Sequence, residues 1–237
     1  MPEVAVPLRA PWLTGAVAVL TAAVLVVQES VPGTLAHLER TPAALHGDWW
    51  RWLTPLVVQD AHWAGGISNL VGLVLLGAAA EQVVRRPAWL AAYVGAGLVG
   101  QVFGHLWQPV GGGNSVANCG LAAVCVAVAV RRPAGVPPLV RAAPVYWSGA
   151  LAAIVWVPLI LVGVLLAGLV GGPLSDLRWT RWLVAGTAVL VAGVLLARSD
   201  LHGGGFAVAL VAAFVLPLPA ALPEAEPLAS DRVEQVG

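Results

Sequence analysis

Gly113-Asn114-Ser115-Val116-Ala117-Asn118-Cys119-Gly120-Leu121 is the stretch on which the reading of the chain turns. Here a glycine turn, Gly111-Gly112-Gly113, runs into an apolar helical segment, and Ser115 stands at the junction. The plainest role for such a serine is to cap the helix. A second role is chemical: a hydroxyl between a tight loop and an apolar helix can reach water while its backbone is held rigidly. Ala117 and Gly120 continue a small-residue face on the same helix.

Composition fixes the class of protein around this stretch. The 237 residues are 59% apolar and only 10% charged, with a mean hydropathy of +0.86. Such a chain is a polytopic membrane protein rather than a soluble domain. The net charge is zero, which gives no footing for nucleic acid. Cys119 and Cys125 lie too close in one apolar run to pair readily, and no metal-ligand spacing occurs. No metal and no cofactor are implied.

Working outward, the chain divides into an N-terminal tail (1–11), a membrane domain (12–218) and an acidic, proline-bearing tail (219–237) expected to be disordered. The run Trp12–Val27 reads as a retained first helix. Residues 28–63 hold Trp49, Trp50, Trp52 and Trp63 and read as a loop lying in the membrane interface, with one or two short helices. Gly65–Val84 is the second helix. It carries Asn69, which lipid cannot satisfy, and Glu81, which needs a partner near its helix end. Glycines at 95, 97, 100 and 104 mark close packing on the third helix, and the fourth runs from Ser115 to Val130. Three further apolar runs follow: Trp147–Val170, interrupted by Pro158, then Leu183–Ala197 and Phe206–Leu218.

A second polar residue stands out ahead of the last run. His202 opens it, followed by Gly203, Gly204 and Gly205, which would let its helix approach the serine helix at Ala117 and Gly120. A serine and a histidine suffice for acyl transfer when the imidazole lies within ~3 Å of the hydroxyl. Asp200 is expected only to solvate the helix end.

These residues resemble, in order, the landmarks of the rhomboid intramembrane serine proteases, across roughly Trp50 to Leu210. Trp50-Arg51 with Thr54-Pro55 is similar to that family's first-loop motif, and Asn69 and Glu81 to its second-helix asparagine and glutamate. Gly113-x-Ser115-x-x-x-x-Gly120-Leu121 resembles its nucleophile motif, and His202-x-x-Gly205 its general-base motif. The resemblance implies an all-α transmembrane bundle of six core helices plus one extra apolar segment. It implies Ser115 as nucleophile, His202 as general base and Asn69 as an oxyanion donor. Arg51, Glu81, Gly113, Gly120 and Gly205 would be structural, with Glu81 close to the first loop and to Arg51 or that loop's backbone donors. The expected setting is a lipid bilayer, crossed several times, in a bacterial cell membrane. The expected partner is a transmembrane protein substrate.

Two positions depart from the family pattern. Val116 stands where a glycine usually follows the nucleophile, and Gly65 where a histidine usually precedes the asparagine by four residues. His62 and His105 are the candidates to replace that histidine. These departures keep open an alternative, a rhomboid-fold pseudoprotease that binds transmembrane client helices without cutting them. A small-molecule transporter is disfavoured, because paired intramembrane charges and inverted halves are missing from the sequence.

Topology decides whether the two polar residues can meet. If Trp147–Val170 and Leu183–Ala197 both span, Ser115 and His202 open on opposite faces, ~30 Å apart. If Trp147–Val170 enters and returns as two short helices hinged at Pro158, they share a face. Arginine placement favours the second arrangement: nine arginines against three then lie on the inner side, compared with seven against five. Ser115 and His202 are therefore expected on one face, within hydrogen-bond reach.

Overall fold

The computed structural model describes residues 9–131, 136–175 and 177–217. The expected disordered tail and most of the N-terminal tail lie outside the described residues. The described residues form an all-α structure with an isolated antiparallel bridge between Arg40 and Gly111. The helices are α1 (Trp12–Ser30), α2 (Thr34–Leu38), α3 (His62–Val83), α4 (Arg86–Trp107), α5 (Ser115–Arg131), α6 (Pro138–Ala152), α7 (Leu159–Gly171), α8 (Thr180–Ala197) and α9 (Leu201–Val215). Short 3₁₀ turns punctuate the loop between α2 and α3.

Helix α5 is the axis of the bundle. Every residue from Val116 to Ala129 is buried, as expected of a helix that is apolar all round. Its alanines, glycine and cysteines leave room for neighbours on every side, and α3, α4, α6, α8 and α9 all pack against it. Gly120 is the tightest point: a methyl there would lie 2.0 Å from the Ala92 carbonyl oxygen of α4. Helices α1, α3, α4 and α8 are long and apolar enough to cross a membrane. Outward-facing side chains such as Val189 on α8 and Leu161 and Leu165 on α7 are exposed, a surface suited to lipid.

The run Trp147–Val170 is not one helix. The chain breaks between Ala152 and Leu159, with Pro158 capping α7. Helices α6 and α7 lie against each other where Gly149 meets Gly163; a methyl on Gly149 would come within 2.4 Å of the Gly163 Cα. At the open end of this hairpin, Gly171 lies against Ala142, and Arg141 donates to the Ser175 carbonyl. The hairpin therefore starts and finishes at one end of the bundle. Its arms of 15 and 13 residues span only ~20 Å each.

Glu81 is not near the first loop. Its Oε1 accepts from the Thr14 backbone N–H at 2.6 Å and from the Thr14 hydroxyl at 2.7 Å, and Arg86 Nε stands 4.0 Å from Oε2. The Thr14 side chain sits where a methyl on Gly77 would clash. Glu81 is thus the clasp between α1 and α3, satisfied by the first turn of α1, whose N–H groups lack partners within the helix.

Candidate active site

Ser115 is the first residue of α5 and His202 the second of α9. The two helices run parallel, because Arg131 at the far end of α5 donates to the Phe214 carbonyl near the far end of α9. Ser115 Oγ and His202 Nε2 are 2.8 Å apart. The two residues therefore meet at one end of the bundle, within the hydrogen-bond reach expected of them, and the return of the α6–α7 hairpin to its starting end is what allows it.

The imidazole is held from behind. Asp200 caps α9, its Oδ1 accepting from the His202 backbone N–H at 2.8 Å and from Nδ1 at 2.7 Å. An ionised carboxylate can only accept, so Nδ1 carries the hydrogen and Nε2 is left to accept from the serine hydroxyl. Burial pushes the Asp200 carboxyl up, but the hydrogen bonds it receives from the His202 ring and backbone help to outweigh it, and the group lies below the ordinary carboxylate value. Asp200 thus orients the imidazole as well as serving the helix end, the one role expected of it. An Asp two residues before a histidine at a helix start is a recognisable N-cap signal.

Gly120 does not face α9: a methyl there would meet Ala92 and Ala96 of α4. Instead, Val116 fills the gap: a methyl on Gly205 would stand 2.5 Å from its Cγ1, and one on Gly100 would stand 2.2 Å from the same atom. Two glycines on flanking helices thus accommodate the valine. Gly203 packs on the α8 backbone and Gly204 on Phe103.

The glycine turn that delivers Ser115 is tied down residue by residue. Gly111 exchanges both backbone hydrogen bonds with Arg40, at 2.8 and 3.1 Å. Gly112 donates to Asp60 Oδ2 at 3.1 Å and accepts from the Asp60 N–H at 3.0 Å, while Gly113 donates to the Pro55 carbonyl at 2.8 Å. Arg40 is buried; its guanidinium bonds Gln101 Oε1 and the Gln108 carbonyl, and it fits because Gly104 has no side chain. Arg51 performs the same service one layer out, donating to Asp48 and to the Ala36 and Glu39 carbonyls. Thr54 Oγ1 donates to the Leu38 carbonyl. The Trp50–Pro55 segment therefore reaches the serine through Pro55.

Asn69 lies beside Ser115. A methyl on Gly113 would stand 3.4 Å from both Asn69 Nδ2 and Ser115 Oγ, and 3.6 Å from Gln59 Oε1. Gly113 thus leaves a small opening bordered by the hydroxyl and the asparagine amide. Asn69 Nδ2 donates to Gln59 Oε1 at 2.7 Å, and Gln59 Nε2 donates to Asn114 Oδ1 at 3.0 Å. The Gln59 backbone is gripped on both sides by the Gln28 amide at the end of α1. One N–H of Asn69 remains for a ligand, beside the backbone N–H groups of the first turn of α5. Gln59 and Arg40 carry no periodic or motif signal in the sequence. His62 instead pairs with Glu29 at 2.9 Å, and the His105 ring packs on Trp52. Among the described residues, no group of three His, Cys, Asp or Glu is placed to hold a metal.

Comparison with family models, curated proteins and solved structures returns no match.

Proposed function

We propose that the chain is a multi-pass, rhomboid-type intramembrane serine protease that cleaves transmembrane or membrane-adjacent proteins, with Ser115 as nucleophile and His202 as general base. The observation that carries this reading is the 2.8 Å Ser115–His202 contact, with Asp200 fixing the imidazole from the other side. On this reading α1, α3, α4, α5, α8 and α9 are the six core helices, and the α6–α7 hairpin is the additional apolar segment. The setting is a bacterial cell membrane.

The chemistry follows from the donors and acceptors. Ser115 Oγ attacks a peptide carbonyl carbon as its proton passes to His202 Nε2. The oxyanion moves into the opening at Gly113, against the free N–H of Asn69 and the Ser115 backbone N–H. Protonated His202 then gives its proton to the departing amine, leaving an acyl ester on Ser115. Water attacks that ester with His202 again as base, and the hydroxyl is restored.

A second reading is favoured by one observation. Gln59 turns an acceptor oxygen toward Asn69, and Gly65 has no side chain to donate. A site short of one oxyanion donor loses ~10²–10³ in rate, and a pseudoprotease that only holds client helices would tolerate that. The two readings separate with a fluorophosphonate probe and a reconstituted transmembrane substrate. A protease labels at Ser115 and cuts, and Ser115→Ala and His202→Ala abolish both. A folded wild type that neither labels nor cuts, yet retains client helices, sinks the protease reading.

A further inference from the structure

Between the α6–α7 hairpin and α8 lies a cavity of about 270 Å³. It is separate from the serine and histidine, and nothing in the proposed chemistry uses it. Its α8 wall is a single stripe, Thr187, Leu190, Val191, Val194 and Leu195, at the spacing of one helix face. The stripe covers ~12 Å of the helix axis.

The cavity's two hydroxyls are turned away from any occupant. Ser148 donates to the Pro144 carbonyl at 2.8 Å and Thr187 to the Val184 carbonyl at 3.1 Å. With both hydroxyl protons committed to their own helices and the rest of the lining Val, Leu, Ala and Gly, the space lacks the roughly two to four polar partners a water needs, so its natural filling is hydrocarbon. One further residue identifies what that hydrocarbon belongs to. Arg198, the C-cap of α8, continues the stripe one step past Val194 and Leu195. It is exposed, and among the described residues its guanidinium has no hydrogen bond or ion pair. An apolar slot with an exposed arginine one helical step beyond its last lining residues, Val194 and Leu195, matches a phosphate joined to an acyl chain.

We infer that this cavity is a binding site for an anionic glycerophospholipid, an acyl chain lying between the hairpin and α8 and the phosphate on Arg198. The inference rests on the membrane setting but not on proteolysis. The test is made on protein extracted in mild detergent and stripped of lipid, titrated with phosphatidylglycerol or phosphatidylcholine of identical chains, with bound lipid counted by native mass spectrometry. Phosphatidylglycerol is expected to bind about tenfold or more tightly than phosphatidylcholine, and Arg198→Gln to erase that difference. Val191→Phe, which fills the slot, should weaken both lipids; Ala152→Leu provides the same obstruction from α6 if the first variant does not fold. Equal phosphatidylglycerol retention by wild type, Arg198→Gln and a slot-filling variant would overturn the lipid site. Recovery of the chain in the soluble fraction would instead overturn the membrane setting itself, and neither result depends on whether Ser115 reacts with a probe.

Discussion

Asp200 and His202 are joined twice through one atom: the same carboxylate oxygen receives the histidine's backbone N–H and its ring Nδ1. Capping the helix and orienting the imidazole are thereby a single act. Removing the carboxylate with Asp200→Ala should cost ~1 kcal/mol of cap stability. It should also slow probe labelling of Ser115 by roughly 10²–10⁴-fold. Asp200→Asn should retain much of the cap yet label slowly, because an amide can donate to Nδ1 and favour the wrong tautomer. Labelling by Asp200→Asn at the wild-type rate would remove Asp200 from the chemistry.

The same pair gives a pH dependence of stability. The Asp200 carboxyl is held below its ordinary value in the folded chain. Its contribution is therefore fully present above the unfolded value of ~3.9 and is lost as pH falls through the lower folded value. Unfolding in detergent, followed from neutral pH downward, should show wild type losing its advantage over Asp200→Asn only in that acid window. A constant difference between the two down to the lowest pH would contradict the ionised pairing.

Gly113→Ala tests the opening beside Ser115. The added methyl would sit 3.4 Å from both Ser115 Oγ and Asn69 Nδ2, within the space assigned to the oxyanion. Labelling should fall by about 10²-fold or more. The melting temperature should fall as well, by about 1 kcal/mol or more of stability, because Gly113 has a φ of +159° that L side chains rarely adopt, so labelling is compared on protein shown to be folded. Unchanged labelling would move the oxyanion elsewhere.

Parts of this arrangement were legible in the sequence and parts were not, for physical reasons. Long apolar runs fix α1, α3, α4 and α8 within a few residues, because burial in hydrocarbon demands uninterrupted segments. The Ser115–His202 pairing was legible through arginine placement, which bears on the whole topology rather than on any local pattern. Glu81 was misplaced because its partner, Thr14, lies 67 residues away and hydroxyl donors leave no charge signature. Arg40 and Gln59 stand in a polar loop where many side chains are simply solvated, so only the folded chain distinguishes them.

Arg40 should prove more than a loop residue. Its fork bonds Gln101 and the Gln108 carbonyl while its backbone pairs with Gly111. Arg40→Lys keeps a charge but cannot reproduce the fork. With hydrogen bonds from a charged donor worth ~1.5–3 kcal/mol each, a loss of a few kcal/mol is expected, visible as a lower melting temperature. Labelling of Ser115 should fall with it, because the glycine turn loses one of its ties. Wild-type stability in Arg40→Lys would show that the backbone bridge alone fixes the turn.

The hairpin makes the most exposed prediction, because the parity of the candidate site depends on it. Arms of 15 and 13 residues reach ~20 Å each, short of a ~30 Å hydrocarbon core, and both outer ends lie at the end of the bundle remote from Ser115. Single cysteines at Val136 and Ser175, in a chain with Cys119 and Cys125 replaced by alanine, should therefore react with an impermeant maleimide from the same side of the membrane. A cysteine at Ser199, in the turn between α8 and α9, should react only from the other. The comparison is internal, since all three variants share one background and the added thiols sit outside the helices. If 136 and 175 label from opposite sides, Trp147–Val170 spans, His202 is carried to the face away from Ser115, and the proposed chemistry loses its base.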